Sequence, residues 1–267
     1  MTNQTFFSHI FNAIFLISIF YQASYRAEEL KKTEITNSVD QQLIDSYILP
    51  KSHPLFNRLK KIFNQPSMFK STEHFEKAGF NIKLGHRKLM VGAHPSIKSY
   101  LFKKFPNSYP QQKQLDNFIT RIKGAEILRK CIAILKLKHI VVPKKWLYKL
   151  PKSFSREKHE DTYLLVVENM DIYEGYENPQ DQGSLHYYNM NIEVLTELCT
   201  LLHFVGGCDA YPRNQPFTKS GKIAFVDTEH IGKLKGHFLK HIVPALNPDL
   251  QPYAVALWMK LEQEGNN

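Results

Sequence analysis

Asp209, Asn214 five positions on, and Asp227 thirteen further are the residues of this sequence best suited to chemistry. A carboxylate can take a proton from an attacking hydroxyl, and a carboxylate with a carboxamide offers two hard oxygen ligands to magnesium. Asp227 closes the apolar run Ile223–Val226, which reads as a strand because Ser220-Gly221-Lys222 and polar residues bound it. Pro212, Pro216 and Gly221 mark the preceding stretch as a loop. A loop followed by a strand end would bring all three groups to one point. Asp and Asn are also common turn formers, so a polar hairpin is the alternative.

The elements that would position a partner for these groups lie upstream. Phe80–Leu84 alternates, Gly85-His86-Arg87 turns, and Lys88–Val91 continues as a second strand. After a turn at Gly92–Ser96, Ser99–Phe105 reads as a third strand and carries Lys103, with Lys98 and Lys104 as competitors. Lys104 would point away from Lys103, because side chains alternate along a strand. Leu115–Leu137 reads as a helix with Leu115, Phe118, Ile119, Ile122, Ala125 and Ile132 on one stripe. Glu126 projects from that stripe and needs a cation there: Lys103 across the interface, or Arg129 or Lys130 along the helix. His139–Pro143 and Thr162–Val167 read as two more strands joined by a basic connection, the second running into Glu168-Asn169-Met170-Asp171. Tyr173–Gly183 reads as loop. A helix over roughly 188–204, buried through Ile192, Leu195, Leu198 and Leu202, then leads to Asp209.

Lys103, Glu126, the Glu168–Asp171 segment, Asp209-x4-Asn214 and Val226-Asp227-Thr228-Glu229, in that order, resemble the protein-kinase-like superfamily. The D-x-E ending is similar to that of aminoglycoside and choline kinase relatives. The resemblance covers roughly residues 79–230. It implies an α+β, bilobal fold with an antiparallel N-lobe sheet, a reduced, mainly helical C-lobe and a helical N-terminal extension. It also implies ATP and magnesium as cofactors, with Asp209 as base toward an unknown hydroxyl acceptor and Asn214 and Asp227 as metal ligands. Lys103 paired with Glu126 would orient the phosphates, and Glu168 and Met170 would border the adenine with Val167 behind it. The chain departs from the pattern where Gly207 and Cys208 replace the usual histidine and arginine before the base, and where no glycine follows Asp227. Only Gly85 and Gly92 are available for a phosphate-covering loop, and 40 residues follow Asp227 without a peptide-platform signature. Two functions stand open. The retained acid, amide and lysine favour a phosphotransferase; the departures favour a catalytically dead pseudokinase that binds a protein partner.

At 43% hydrophobic and 12% aromatic residues, the 267-residue chain can bury a core and is not disordered. Cys131, Cys199 and Cys208 lack C-x-x-C spacing, so they indicate neither a disulfide framework nor a zinc site. The net charge of +10 is unevenly placed: residues 51–158 hold 25 Lys or Arg against 5 acids, and residues 159–204 hold 9 acids and no Lys or Arg. A basic half facing an acidic half suits a cleft for phosphates, while no helix-turn-helix, finger or RNP signature points to nucleic acid. His230, His237 and His241 have no acidic residue at zinc-site spacing and read as surface or core histidines. The run Phe6–Tyr21 falls short of the ~20 residues of a spanning helix and lacks basic residues before it. It is apolar on every face, so a signal- or anchor-like segment is expected, with export or membrane association ahead of a cytoplasmic location. The expected organisation is residues 1–24 as that segment, 25–78 as a helical extension, 79–168 as the N-lobe and 169–267 as the C-lobe.

Overall fold

The structure, a computed structural model, describes residues 41–64, 72–84, 89–105, 109–151 and 162–265. The expected hydrophobic segment 1–24 and Gly85 lie outside these residues. Among the described residues no helix is long and apolar enough to cross a membrane.

The chain is α+β. Strands β1 (Asn81–Leu84), β2 (Met90–Ala93) and β3 (Tyr100–Lys104) form an antiparallel meander. Strands β4 (Ile140–Val141), β5 (Lys145–Lys149), β6 (Tyr163–Glu168) and β7 (Ile223–Ala224) complete the set. The main sheet has the order β1-β2-β3-β6-β5, antiparallel throughout, and β4 pairs with β7 in parallel as a separate two-stranded sheet. Three expectations change here. The run 139–143 does supply a strand, but it serves the strand before Asp227 and not the main sheet. The basic connection after it contains β5, whose alternation of Lys145, Leu147 and Lys149 with Trp146 and Tyr148 fits a two-faced strand. Gly92 lies inside β2, not in a turn, where a Cβ would meet the Phe75 ring at 2.8 Å.

Both faces of the main sheet are covered. Leu147, Tyr163, Leu165 and Val167 pack on one side against helix α4, described below, through Phe118, Ile119 and Ile122. On that same side lies α1 (Gln41–Tyr47), its Ile44 in the same cluster, while the other side meets the helices α2 (Phe56–Ile62) and α3 (Thr72–Lys77). There Phe63, just past α2, packs its ring against Phe75, Phe80, Phe102 and Tyr148 at centroid distances of 6.4, 5.6, 5.5 and 5.9 Å. The chain after α1 also covers the edge of β5: Leu49 N–H donates to Leu147 C=O at 2.8 Å.

Helix α4 (Gln111–Leu135) follows the apolar stripe read from the sequence: Leu115, Phe118, Ile119, Ile122 and Ala125 are all buried. Beyond β6 the chain is mainly helical, with α5 (Gln182–Tyr188), α6 (Ile192–Phe204) and α7 (Gln251–Gly265). Their core joins Leu195, Leu198 and Leu202 to Phe225, Phe238 and Trp258. Helix α6 starts later than the apolar pattern implies. Asn191 caps it, its Oδ1 accepting from Val194 N–H at 2.9 Å, so Ile192 falls in the first turn and is 52% exposed instead of buried.

Candidate functional site

Helix α6 delivers the chain to Asp209 through two glycines with left-handed φ, Gly206 at 74° and Gly207 at 88°. A Cβ on Gly207 would lie 2.5 Å from Lys235 Cα, which accounts for glycine where the resemblance implies a larger residue. After Asp209 a 3-10 turn, Pro212–Asn214, folds the chain back. Asn214 Nδ2 then donates to the Asp209 carbonyl at 2.9 Å and to its Oδ2 at 3.1 Å. Asn214 C=O in turn accepts from Val226 N–H at 3.1 Å, which ties this loop to the residue before Asp227. Behind the loop, Cys208 is buried and receives Gln215 Nε2 at 3.3 Å, and burial pushes its thiol well up. The second oxygen of Asp209 faces His237, whose Nδ1 lies 3.1 Å from Oδ1. Tyr211 stacks on His241, and that ring meets His237 edge-on with centroids 4.9 Å apart.

Asp227 stands among cations from three elements. Arg121 of α4 places Nη1 3.4 Å from Asp227 Oδ1 and Nη2 2.7 Å from Glu229 Oε2. Asn117, one turn earlier, holds Arg121 Nε at 2.8 Å and also donates to Glu229. Lys145 of β5 reaches across to donate to Thr228 Oγ1 at 2.6 Å and to Val226 C=O at 3.2 Å. Lys103 lies on the same face as Lys145. The register pairs Lys103 with Leu165 and Lys145 with Val167, so the two lysines flank β6. Burial pulls the Lys103 ammonium down to about 8, helped by Arg121 and opposed by Asp227. Burial and Lys103 hold Lys145 far below the usual lysine range. For Asp227, burial raises the carboxyl, but Arg121, Lys103 and Lys145 outweigh it and hold the group below its ordinary value.

The Asp227 loop is clamped onto α4. Thr228 Oγ1 donates to Arg121 C=O at 2.5 Å, and a Cβ on Gly124 would lie 2.0 Å from Thr228 C=O. Gly124 is needed for close approach, not for an unusual φ. Gly124→Ala is therefore expected to destabilise the protein by about 1–3 kcal/mol, the usual cost of overpacking, although alanine is the better helix former. Denaturant unfolding checks this; a variant as stable as the parent would show that the loop can retreat freely.

The structure brings together Asp209 and Asn214, joins them to the strand end of Asp227, and sets Lys103 within electrostatic reach of Asp227 without an ion pair. It does not pair Lys103 with Glu126. Five residues along a helix turn Glu126 by ~140° from Arg121, so the two face different neighbours. Glu126 instead accepts from Tyr47 of α1 at 3.4 Å, and burial together with Glu126 pushes that phenol up to about 12. Glu168 is engaged by the sheet: its carboxylate accepts from Lys144 N–H at 2.8 Å and its own N–H donates to Lys144 C=O at 3.0 Å. Met170 follows, half-buried. Next to this segment lies an open hollow of about 370 Å³ lined by Asn169, Asp171, Tyr173, Glu174, Gln182 and Lys219. Lys104 is buried on the face opposite Lys103 and donates to Phe105 C=O.

Sequence reading missed Arg121, Lys145 and His237. Arg121 had a signal: it lies three residues after Phe118 and four before Ala125, inside the apolar stripe, where an arginine needs acids. Lys145 shares its strand face with the fully buried Leu147, and was legible only once β5 was recognised. His237 had none, because its partner lies 28 residues away in sequence. Apart from this site, His139, Glu193 and Glu197 bring ligand-type atoms within 4.8 Å of one another, but Glu197 already accepts from Lys138 N–H and His139 N–H.

Neither a family model nor a curated protein matches this chain. Function therefore has to be argued from the residues themselves.

Proposed function

We propose that this protein is a kinase-like, bilobal phosphotransferase that moves the terminal phosphoryl group of ATP to a hydroxyl acceptor. The observation that carries this reading is the Asn214 junction: one residue bonds Asp209 through its side chain and the strand end of Asp227 through its carbonyl. A proton acceptor and a metal-type carboxylate are thereby held in one rigid unit, with the Lys103 cation beside it. Asp209, 32% exposed, is open to an incoming hydroxyl. It takes the hydroxyl proton as the acceptor oxygen bonds to phosphorus and the bond to the leaving diphosphate breaks. Lys103 meets the phosphate oxygens.

The donors fit magnesium. Asp227 is held ionised at neutral pH, and its Oδ2 and Asn214 Oδ1 take no hydrogen bond among the described residues. When bound, magnesium would neutralise phosphate charge during transfer. A second reading, the nucleotide-binding pseudokinase, is favoured by Arg121, which already faces Asp227 where a metal would compete with it.

Asp227→Asn tests the site. An amide loses its charge opposite a divalent ion, so Mg-ATP affinity is expected to fall ~10-fold or more by calorimetric titration. Unchanged affinity would remove Asp227 from the nucleotide site. Mg-ATP binding without turnover on any acceptor class would leave the pseudokinase.

A further inference from the structure

Basic side chains outnumber acidic ones around Asp227. Arg121, Lys103 and Lys145 meet two carboxylates, Asp227 and Glu229, and Arg121 satisfies both of these. Lys145 is 5% exposed, and its only partners among the described residues are neutral oxygens, Thr228 Oγ1 and Val226 C=O. Lys103 makes no hydrogen bond or ion pair among the described residues, yet shares its sheet face with Lys145. A nearly buried ammonium without an acid is costly in water-poor surroundings. Lys145 and the partly buried Lys103, on one face of the sheet and on either side of β6, mark a place for an anion with several oxygens spaced along a chain.

We propose that Lys103 and Lys145 form a two-lysine clamp for a polyphosphate chain, and that Arg121 neutralises Asp227 there, so that the chain binds without a divalent cation. This rests on the nucleotide reading of the cleft and adds to it a ligand form and a second lysine. The fixed guanidinium takes over part of the charge compensation that a metal supplies elsewhere, and Arg121 cannot lose its proton. With the lysines meeting its oxygens, a triphosphate can bind whether or not magnesium accompanies it. Lys145 supplies two bonds to the Asp227 loop and keeps a third N–H for the ligand.

Full-length protein titrated by calorimetry with ATP and with inorganic tripolyphosphate, each in EDTA and in excess magnesium at matched ionic strength, tests this. The expected result is saturable ATP binding in EDTA with a Kd no weaker than about threefold that in magnesium. Tripolyphosphate binding as tightly as ATP would assign the clamp to the phosphate chain alone; ATP binding alone in EDTA would add a contribution from the nucleoside. Both outcomes support the clamp. Lys145→Met keeps the stem and removes the charge, and is expected to weaken binding in EDTA by tenfold or more, whereas Lys145→Arg retains it. Binding that requires magnesium overturns the clamp while leaving the phosphotransferase reading intact. Binding in EDTA that Lys145→Met does not weaken also overturns it. No binding of either probe under either condition overturns both. The comparison of EDTA with magnesium needs only the parent protein, so a misfolded variant does not blunt it.

Discussion

Asp209→Asn is expected to lower phosphoryl transfer by ~10²–10⁴-fold, the usual worth of a positioned general base, while leaving ATP affinity within about twofold. The side chain that replaces the carboxylate has the same shape. It can still face Asn214 and His237, which now lie 3.1 Å from the two carboxylate oxygens, so the loop should fold unchanged. What is lost is the ability to take a proton from the acceptor. Background ATP hydrolysis serves as the readout until the acceptor is identified, with calorimetry reporting affinity in parallel. Equal turnover in parent and variant would remove Asp209 from the chemistry, and a matching fall in ATP affinity would make it a structural residue of the nucleotide site.

The second large effect concerns stability. Arg121→Ala removes the guanidinium that Asp227 and Glu229 share, leaving Glu229, 18% exposed in the parent, with only Asn117 as a side-chain partner among the described residues. Breaking a buried ion pair on one side typically costs about 3–5 kcal/mol, and the low end applies here because Glu229 keeps some solvent. A loss of about 3 kcal/mol corresponds to a drop in Tm of about 6–12 °C for a chain of this size. The pH dependence follows from the same contact. Asp227 has a folded pKa below its unfolded value of 3.8, so its contribution is present above that value and disappears as pH falls through the folded one. Arg121→Ala should therefore also flatten the acid side of the stability curve. A Tm change under about 1 °C would mean that water already screens these charges. The paired variant Arg121→Ala with Glu229→Gln should cost less than the two changes added together.

Where periodicity was strong and local, the chain could be read directly. The stripe of α4, the meander of β1 to β3 and the apolar run of β6 all depend on side chains within one element. Edges and starts were harder. Ile192 fits the apolar rhythm of α6, but the cap at Asn191 places it in a solvent-facing first turn. β5 was hidden because a proline-containing, lysine-rich stretch reads as loop until a partner strand is known. At the site, Asp209, Asn214 and Asp227 were legible as a spacing. Which side chain of α4 faces Lys103 was not, since choosing between Glu126 and Arg121 depends on how the helix is rotated against the sheet. Gly124 sets that rotation by letting the Thr228 carbonyl come close, and a lone glycine in a helix announces no direction.

The ring of Phe63 has a consequence for how this molecule opens. It touches side chains from α3, β3, β5 and the lead-in to β1, so the outer helices cannot lift away without stripping the sheet's back face of Phe102, Leu164 and Val166 together. Opening is then all-or-none across elements that are far apart in sequence. Amide protons of α2 and β3 are therefore expected to exchange with solvent through one shared fluctuation, with β3 owing part of its protection to a helix that contributes no strand to the sheet.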